Sequence, residues 1–266
     1  MSQKQRNVAI IAGSGLYQLD GYSFDPQEIT TPFGDTTVLV GEGESEGLFF
    51  LPRHGVNHTL PPHRVKYRAN IMALYQAGVK RIIALYTVGS IREDIVPGSL
   101  LCLDNFIDFT RSRSGTFYDG GEFGLAHVDL SKPYCPQLSD MLVATATRRG
   151  MQMDTNGTIA AFEGPRLETP AEIKMCALLG CDVVGMTAVP ESQLARELSM
   201  CFAGCAISVN FASGMEEKIE IDHSGLNNKR QDLVSVFVEA LRTDYLGRCG
   251  CGECLSVTHR PTAWRM

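Results

Sequence analysis

VAIIAGSG, at residues 8–15, is a short apolar run that ends abruptly in a glycine turn. Consecutive apolar residues over such a short length, several of them β-branched, are typical of a buried strand. The stretch RIIALYTVGS, at residues 81–90, repeats the pattern. There we predict a strand over 81–87, followed by a second glycine turn over 88–90. The other elements are predicted by working outward from these two strands.

Strands and helices alternate along most of the chain. Further strands are predicted at 38–40, 49–51, 100–109, 158–162, 181–186 and 205–209. Helices are predicted at 62–77, 136–150, 190–198 and 231–246, and one more begins with Thr169 as its N-cap and Pro170 as its first residue. The alternation predicts an α/β fold with one core. We assign residues 1–246 to a single domain and residues 247–266 to a cysteine-rich C-terminal tail.

The composition is that of an ordinary globular protein, with 44% hydrophobic and 20% charged residues in a chain of 266. The net charge of −6 argues against bulk nucleic-acid binding, which needs a basic surface. No stretch approaches the roughly 20 apolar residues of a membrane helix, and no signal peptide is recognised. We therefore predict a cytoplasmic protein that binds neither nucleic acid nor a membrane.

Polar residues follow the predicted strands at the points where the strands end. They are Ser14, Arg53, His54, Thr87, Glu168, Thr187 and Asn210. Ligands of open α/β sheets bind beyond the carboxyl ends of the strands, so these residues can build one pocket. Arginine suits bidentate recognition of phosphate, and a glycine turn can cradle phosphate through its backbone N–H groups. An anion-binding pocket is the predicted site.

Two other interpretations of these motifs have less support. Residues 13–18 begin like a dinucleotide-binding fingerprint but lack its third glycine, which leaves a nucleotide-binding Rossmann protein as a distant alternative. His54, His58 and His63 have spacings that invite a metal ion, but no carboxylate or cysteine lies at ligand spacing beside them. We therefore predict no metal ligands in the site.

A set of motifs in fixed order resembles the purine nucleoside phosphorylase family. The motifs are GSG at 13–15, RHG at 53–55 with His58, NIMAL at 70–74, VGS at 88–90, FYD at 117–119, EGPRLET at 163–169 and VGMTAVPE at 184–191. The resemblance covers about residues 8–245 and is closest to the methylthioadenosine and methylthioinosine phosphorylases. It implies one α/β domain around a mixed, partly barrel-like sheet flanked by helices, assembled as a homotrimer.

The resemblance also implies a reaction and its participants. A purine nucleoside and phosphate give the free base and a pentose 1-phosphate, a pentosyl transfer that serves purine salvage. Inorganic phosphate is then a co-substrate, and no metal or organic cofactor is expected.

Residue roles follow from the same resemblance. The catalytic residues are expected to be His54, Glu168 and Asn210. Phosphate is expected to bind to Ser14, Arg53, His54, Thr87, Val88 and Thr187. The nucleoside is expected to contact Phe162, Leu167, Glu168, Met186, Asn210, Ile221, His223 and His127, the last from a neighbouring subunit.

Glu168 and Asn210 predict the choice of base. Adenine-using relatives carry an aspartate where this chain has Asn210, and a small polar residue where it has Glu168. A carboxylate can accept from the N1–H of a 6-oxopurine, and an amide can donate to O6 or N7. The pair therefore predicts a hypoxanthine or guanine base, with 5′-methylthioinosine ahead of inosine. Methylthioadenosine phosphorolysis is the alternative, and Glu168 could instead only cap the helix that begins near Thr169.

Two features leave alternatives open. At the 5′ end of the sugar, Ile221 in the pocket favours a methylthio group, whereas His223 favours a hydroxyl. In the tail, three thiols lie within six residues, at Cys249, Cys251 and Cys254. They could form a disulfide, bind a metal with His259 as the nearest fourth ligand, or have no role. Related enzymes from hot habitats carry a similar Cys-x-Cys. The six other cysteines are expected to be small buried hydrophobes.

Overall fold

The computed structural model describes residues 6–14, 16, 18–217, 226–244 and 249–265. Its strands are β1 Val8–Ala12, β2 Phe24–Thr31, β3 Gly34–Gly41, β4 Leu48–Pro52, β5 Arg81–Ser90, β6 Leu100–Asp108, β7 Leu125–Val128, β8 Asp154–Ala161, β9 Val183–Gly185, β10 Cys201–Phe211 and β11 Leu255–His259. Its α-helices are α1 Tyr67–Gln76, α2 Pro136–Arg148, α3 Pro170–Leu178, α4 Glu191–Glu197 and α5 Asn227–Arg242.

Nine strands form one sheet that closes partly on itself. The order is β10-β6-β8-β9-β5-β1-β4-β3-β2, and β10 also pairs with β5. That extra pairing closes a ring of five strands, β5, β10, β6, β8 and β9. The other four strands, β1, β4, β3 and β2, extend the sheet beyond β5. The predicted mixed, partly barrel-like α/β sheet is confirmed.

The first strand confirms its prediction residue for residue. All five residues of β1 are buried, and β1 pairs in parallel with both β4 and β5. Ala9 and Ile11 belong to one hydrophobic cluster, whereas Val8, Ile10 and Ala12 belong to the other. A strand covered on both faces reads as a continuous apolar run, which is why VAIIA does not alternate.

The strand predictions need correction at the end of β5 and at β2, and the short strands β7 and β11 were also not predicted. The glycine turn predicted at 88–90 is wrong, because β5 continues through Ser90. Its last two residues pair with Asn210 and Phe211 on one side and with Val184 and Val183 on the other. The strand β2 was not predicted, because its sequence FDPQEITT is polar and mostly exposed. It lies at the sheet edge, where a proline is tolerated.

The C-terminal residues pack against the domain. The strand β11 pairs with β7 in a separate antiparallel sheet of two strands. The Trp264 indole is buried and makes edge contacts with the rings of Phe117 and Tyr118. The domain boundary at residue 247 stays a prediction, but residues 249–265 contribute to the fold. Within the described residues, no helix is long and apolar enough to cross a bilayer.

Candidate active site

Ten of the predicted site residues line a single cleft. They are Ser14, Arg53, His54, Thr87, Val88, Leu167, Glu168, Met186, Thr187 and Asn210. The parallel strands β4, β1, β5 and β10 end at the same edge of the sheet, so residues distant in sequence meet there. A backbone bond from Arg53 N–H to the Ala12 carbonyl, 2.8 Å long, joins the ends of β4 and β1.

Strand β5 forms the floor of the cleft. Thr87 and Gly89 are its two partly exposed residues, and positions two apart on a strand share a face. Strand β9 runs antiparallel to the end of β5, which brings Gly185, and with it Met186 and Thr187, beside Val88. The hydroxyls of Thr87 and Thr187 therefore line the same cleft.

A bulge in β10 positions Asn210. The register between β10 and β5 shifts between Ser208 and Asn210. Successive residues of a regular strand face opposite ways, but here both Val209 and Asn210 line the cleft. A Cβ on Gly89 would lie 3.2 Å from the Asn210 Nδ2, so the glycine makes room for this amide.

Arg53 is buried and paired with an acid that the sequence analysis did not single out. Its Nε and Nη2 donate to the two carboxylate oxygens of Glu191, at 2.6 and 3.0 Å. Tyr86 donates to the same carboxylate at 2.7 Å, and the guanidinium lies over the Tyr86 ring. Arg53 and Glu191 are only 2% and 1% exposed, so this pair belongs to the core as much as to the cleft.

The Glu191 pairing changes what Arg53 offers to an anion. Burial alone would lower the pKa of Arg53, but the Glu191 carboxylate outweighs it and the pKa is raised. The side chain stays charged, although its charge is balanced. A third donor, Nη1, bonds the Leu85 carbonyl at 3.1 Å. A guanidinium has five N–H donors, so two stay available for a ligand. Glu191 is the last residue of the VGMTAVPE motif, so the sequence could have singled it out.

His54 is neutral in this environment. Burial, followed by the charge of Arg53, lowers its pKa to about 4. Its Nδ1 lies 2.7 Å from the Leu60 carbonyl, and because a carbonyl only accepts, Nδ1 carries the hydrogen. Nε2 is therefore an acceptor. It lies close to Gly13, where a Cβ would come within 2.9 Å of it.

Glu168 is a buried carboxylate with an unpartnered oxygen. It is 7% exposed, and among the described residues its Oε1 has no hydrogen-bond partner. Burial raises the pKa of Glu168 above its ordinary value. The interpretation of Glu168 as a helix cap is wrong. Thr169 caps α3 as predicted, and Glu172 completes the capping box. The free oxygen of Glu168 is thus left for a ligand.

Asn210 has one amide hydrogen committed. Its Nδ2 donates to the Phe211 carbonyl at 2.6 Å. The second hydrogen of that nitrogen and the Oδ1 oxygen make no other bond in the described part of the chain. The Asn210 side chain therefore offers one donor and one acceptor to the cleft.

Four predicted nucleoside contacts lie elsewhere or beyond the described residues. Phe162 stacks on Phe109, 4.9 Å between ring centroids, and lines a neighbouring cavity instead of the cleft. His127 is exposed on β7, away from the cleft of its own chain. Ile221 and His223 lie outside the described residues. The roles of all four stay predictions.

Comparison with known proteins assigns the family. A model of the phosphorylase superfamily matches residues 7–242. A 6-oxopurine nucleoside phosphorylase from Pyrococcus furiosus is 43% identical over 258 residues, 93% of this chain and 97% of the relative. An S-methyl-5′-thioadenosine phosphorylase from Thermofilum pendens is 44% identical over 216 residues, 80% of this chain and 81% of the relative. The chain therefore belongs to the phosphorylase superfamily.

A solved structure supports the same assignment. The crystal structure of a methylthioadenosine phosphorylase from an Antarctic soil metagenomic library matches with a TM-score of 0.84 and 31% identity. The match covers 96% of this chain and 92% of that one.

Proposed function

We propose that the cleft binds phosphate and a purine nucleoside side by side, and that the chain is a pentosyltransferase that phosphorolyses purine nucleosides. A phosphate oxygen bonds to the anomeric carbon while the glycosidic C–N bond breaks. The purine leaves with the bonding electron pair, and a pentose 1-phosphate remains. Phosphate and nucleoside balance the reaction by themselves, so the proposal includes no metal or organic cofactor in the cleft.

The phosphate end of the cleft uses hydrogen bonds more than net charge. Arg53 is balanced by Glu191 and His54 is neutral, and these are the basic side chains among the described cleft residues. Donors to phosphate are the two spare guanidinium N–H groups and the hydroxyls of Ser14, Thr87 and Thr187. The His54 Nε2 can accept from a P–OH group, which favours a protonated phosphate. Fixed donors of this kind stabilise developing charge without reorganisation.

The nucleoside end supports a 6-oxopurine. The observation that carries this proposal is the buried, unpartnered oxygen of Glu168. An ionised carboxylate can accept from N1–H of hypoxanthine or guanine, whereas adenine N1 would place a lone pair against it. The spare amide hydrogen of Asn210 can bond O6 or N7 as negative charge develops on the leaving base. The Pyrococcus furiosus relative carries a matching name.

Phosphorolysis of 5′-methylthioadenosine is the second candidate. It is favoured by the Thermofilum pendens relative and by the solved neighbour, both named for that activity. Glu168 separates the two candidates, because its protonated form could donate to adenine N1. The preference for methylthioinosine over inosine, the cytoplasmic location and the role in purine salvage stay predictions.

A substrate panel tests the proposal. We expect phosphate-dependent base release from inosine, guanosine and methylthioinosine, with kcat/KM at least about 10-fold above that for adenosine and methylthioadenosine, because an unpaired buried polar group costs about 1–3 kcal/mol. Release without phosphate would contradict phosphorolysis itself. A panel led by methylthioadenosine would keep phosphorolysis but reject the 6-oxopurine preference.

The base preference should depend on pH through Glu168. Burial raises the pKa of Glu168, so its protonated fraction grows as the pH falls, at a higher pH than for an exposed glutamate. The protonated carboxyl loses an acceptor for N1–H and gains a donor for adenine N1. We therefore expect the ratio of kcat/KM for methylthioadenosine over methylthioinosine to rise as the pH falls. Phosphate ionisation cancels in this ratio.

The control for that pH dependence is Glu168→Gln, which keeps the size of the side chain but does not titrate. Its ratio should be flat with pH. A flat ratio in the parent enzyme, or an equal slope in the variant, would show that Glu168 does not titrate against the base.

The homotrimer is also part of the proposal. On the surface near the C-terminus of α3, Leu178 is 90% exposed and Leu179 is 54% exposed. Large exposed apolar side chains of this kind are typical of subunit contacts. The exposed position of His127 on β7 likewise suits a residue that serves a neighbouring subunit. The mass of the assembly by light scattering tests this point.

A further inference from the structure

Four cysteines from distant parts of the chain converge at one place outside the cleft. Their Sγ atoms, on Cys135, Cys201, Cys249 and Cys251, all lie within 4.8 Å of one another. Cys135 precedes α2, Cys201 begins β10, and the other two flank Gly250 in the tail. Three of the four side chains are buried, and Cys249 is half-buried. The sequence alone could not join the first two to the tail.

We propose that Cys135, Cys201, Cys249 and Cys251 form a structural zinc site. In a tetrahedral zinc–tetrathiolate centre each Zn–S bond is about 2.3 Å, which places the sulfur atoms about 3.8 Å apart. The four sulfurs lie within 4.8 Å of one another, and the Cys201 and Cys249 sulfurs are 3.2 Å apart, so changes of about 1 Å or less bring these distances to that spacing. Four soft thiolate ligands and no nitrogen or oxygen select zinc among common divalent ions.

The distances favour a metal over disulfides. Two disulfides would divide the four sulfurs into two pairs with S–S distances of about 2.05 Å. Here the four form one compact group, in which the Cys201 and Cys249 sulfurs are 3.2 Å apart. In the described residues, which include all nine cysteines, no disulfide is formed.

A buried arginine offsets part of the charge that such a site would carry. Zinc with four thiolates carries a net charge of −2, which is costly in an apolar interior unless it is balanced. The Arg196 guanidinium is 5% exposed, and its Nη1 donates to the Cys251 sulfur at 2.8 Å. Its Nε is buried without a partner in the described structure, so a second donor is available. N–H donors to ligating sulfur are typical second partners of zinc sites.

The structure also shows that two nearby candidate ligands, His259 and Cys254, lie outside the four-cysteine group. His259, the nearest fourth ligand by sequence, is exposed on β11 and does not join the group. Cys254 is buried, but its sulfur lies against the carbonyls of Arg196 and Cys251. The proposed zinc would fasten the tail to the N-terminus of α2 and to the start of β10. It would have no part in the reaction.

Zinc analysis of the full-length, untagged protein tests the site. The protein is produced with added zinc and purified under a non-chelating reductant. We expect about one zinc per chain, falling at least about 10-fold in Cys249→Ser and in Cys251→Ser because each removes one of four ligands. Cys254→Ser is the matched control, a buried tail cysteine outside the group, and should keep its zinc.

If the cysteine variants fail to fold, two measurements on the parent protein still test the site. Cobalt-substituted parent protein should show thiolate-to-cobalt charge transfer and the visible bands of tetrahedral cobalt. Intact mass under denaturing, non-reducing conditions should correspond to nine reduced cysteines. A zinc-free parent, full zinc in Cys251→Ser, or a mass short by pairs of hydrogens would each overturn the site, the last in favour of disulfides.

Discussion

Arg53→Met is expected to lower kcat/KM for phosphate at least about 100-fold, the scale of losing one donor that stabilises transition-state charge. The same change should lower the free energy of unfolding by about 3–5 kcal/mol, because the buried Glu191 carboxylate loses its partner. Only the Tyr86 hydroxyl would still donate to it among the contacts described here. Phosphate kinetics and denaturant unfolding measure the two effects separately.

A double variant separates the role of Arg53 in stability from its role in binding. Arg53→Met with Glu191→Gln removes both charges of this buried pair, and the glutamine can still accept from Tyr86. We expect this protein to recover most of the lost stability while its use of phosphate stays at least about 100-fold impaired. Recovery of both would mean that Arg53 serves only the core, and phosphate would then be bound by the hydroxyls alone.

The second large effect is expected in base choice. Asn210→Asp should lower activity on 6-oxopurine nucleosides and raise relative activity on adenine nucleosides. The amide of Asn210 donates to the Phe211 carbonyl at 2.6 Å, so an ionised aspartate there would face that carbonyl. The new side chain is therefore favoured in its protonated form, whose single O–H can donate to the Phe211 carbonyl or turn to N7 of the leaving base. Glu168→Ser should add to the shift by removing the carboxylate opposite adenine N1.

The four proteins of this cycle are compared by one ratio, kcat/KM for methylthioadenosine over methylthioinosine. Each single change should raise it about 10-fold or more, the scale of one mispaired buried polar group. The double change should exceed the product of the two, because both side chains contact one ligand. If the ratio is the same in all four proteins, Glu168 and Asn210 do not select the base.

Local sequence patterns correctly predicted β1 and the start of α3. The run at 8–12 is apolar because both faces of β1 are covered, and Thr169 with Pro170 marks the start of α3 by its capping chemistry. The same local reasoning failed at 88–90. Glycine and serine there resemble a turn, but pairing with β9 and β10 keeps the chain extended. A local sequence pattern contains no information on which distant strands will pair with it.

Ten residues that the sequence assigned to the site line one cleft, but the sequence did not predict the charges of their side chains. Arg53 was expected to bind phosphate, and its partner Glu191, which balances its charge, lies 138 residues later. His54 is neutral because burial and Arg53 act together on it. Such effects depend on three-dimensional neighbours, so residue types and spacing predicted which residues share the cleft but not the charges that they carry there.

The pairing of β11 with β7 covers one edge of β7. Strand β7 has no other strand beside it in the described structure. A chain shortened before Leu255 would leave the backbone N–H and C=O groups of β7 open along both sides. It would also lose the packing of Trp264 on Phe117 and Tyr118. An unpaired strand edge can pair with a strand of another molecule, so residues 255–259 cover one side of β7 that would otherwise be open to such pairing.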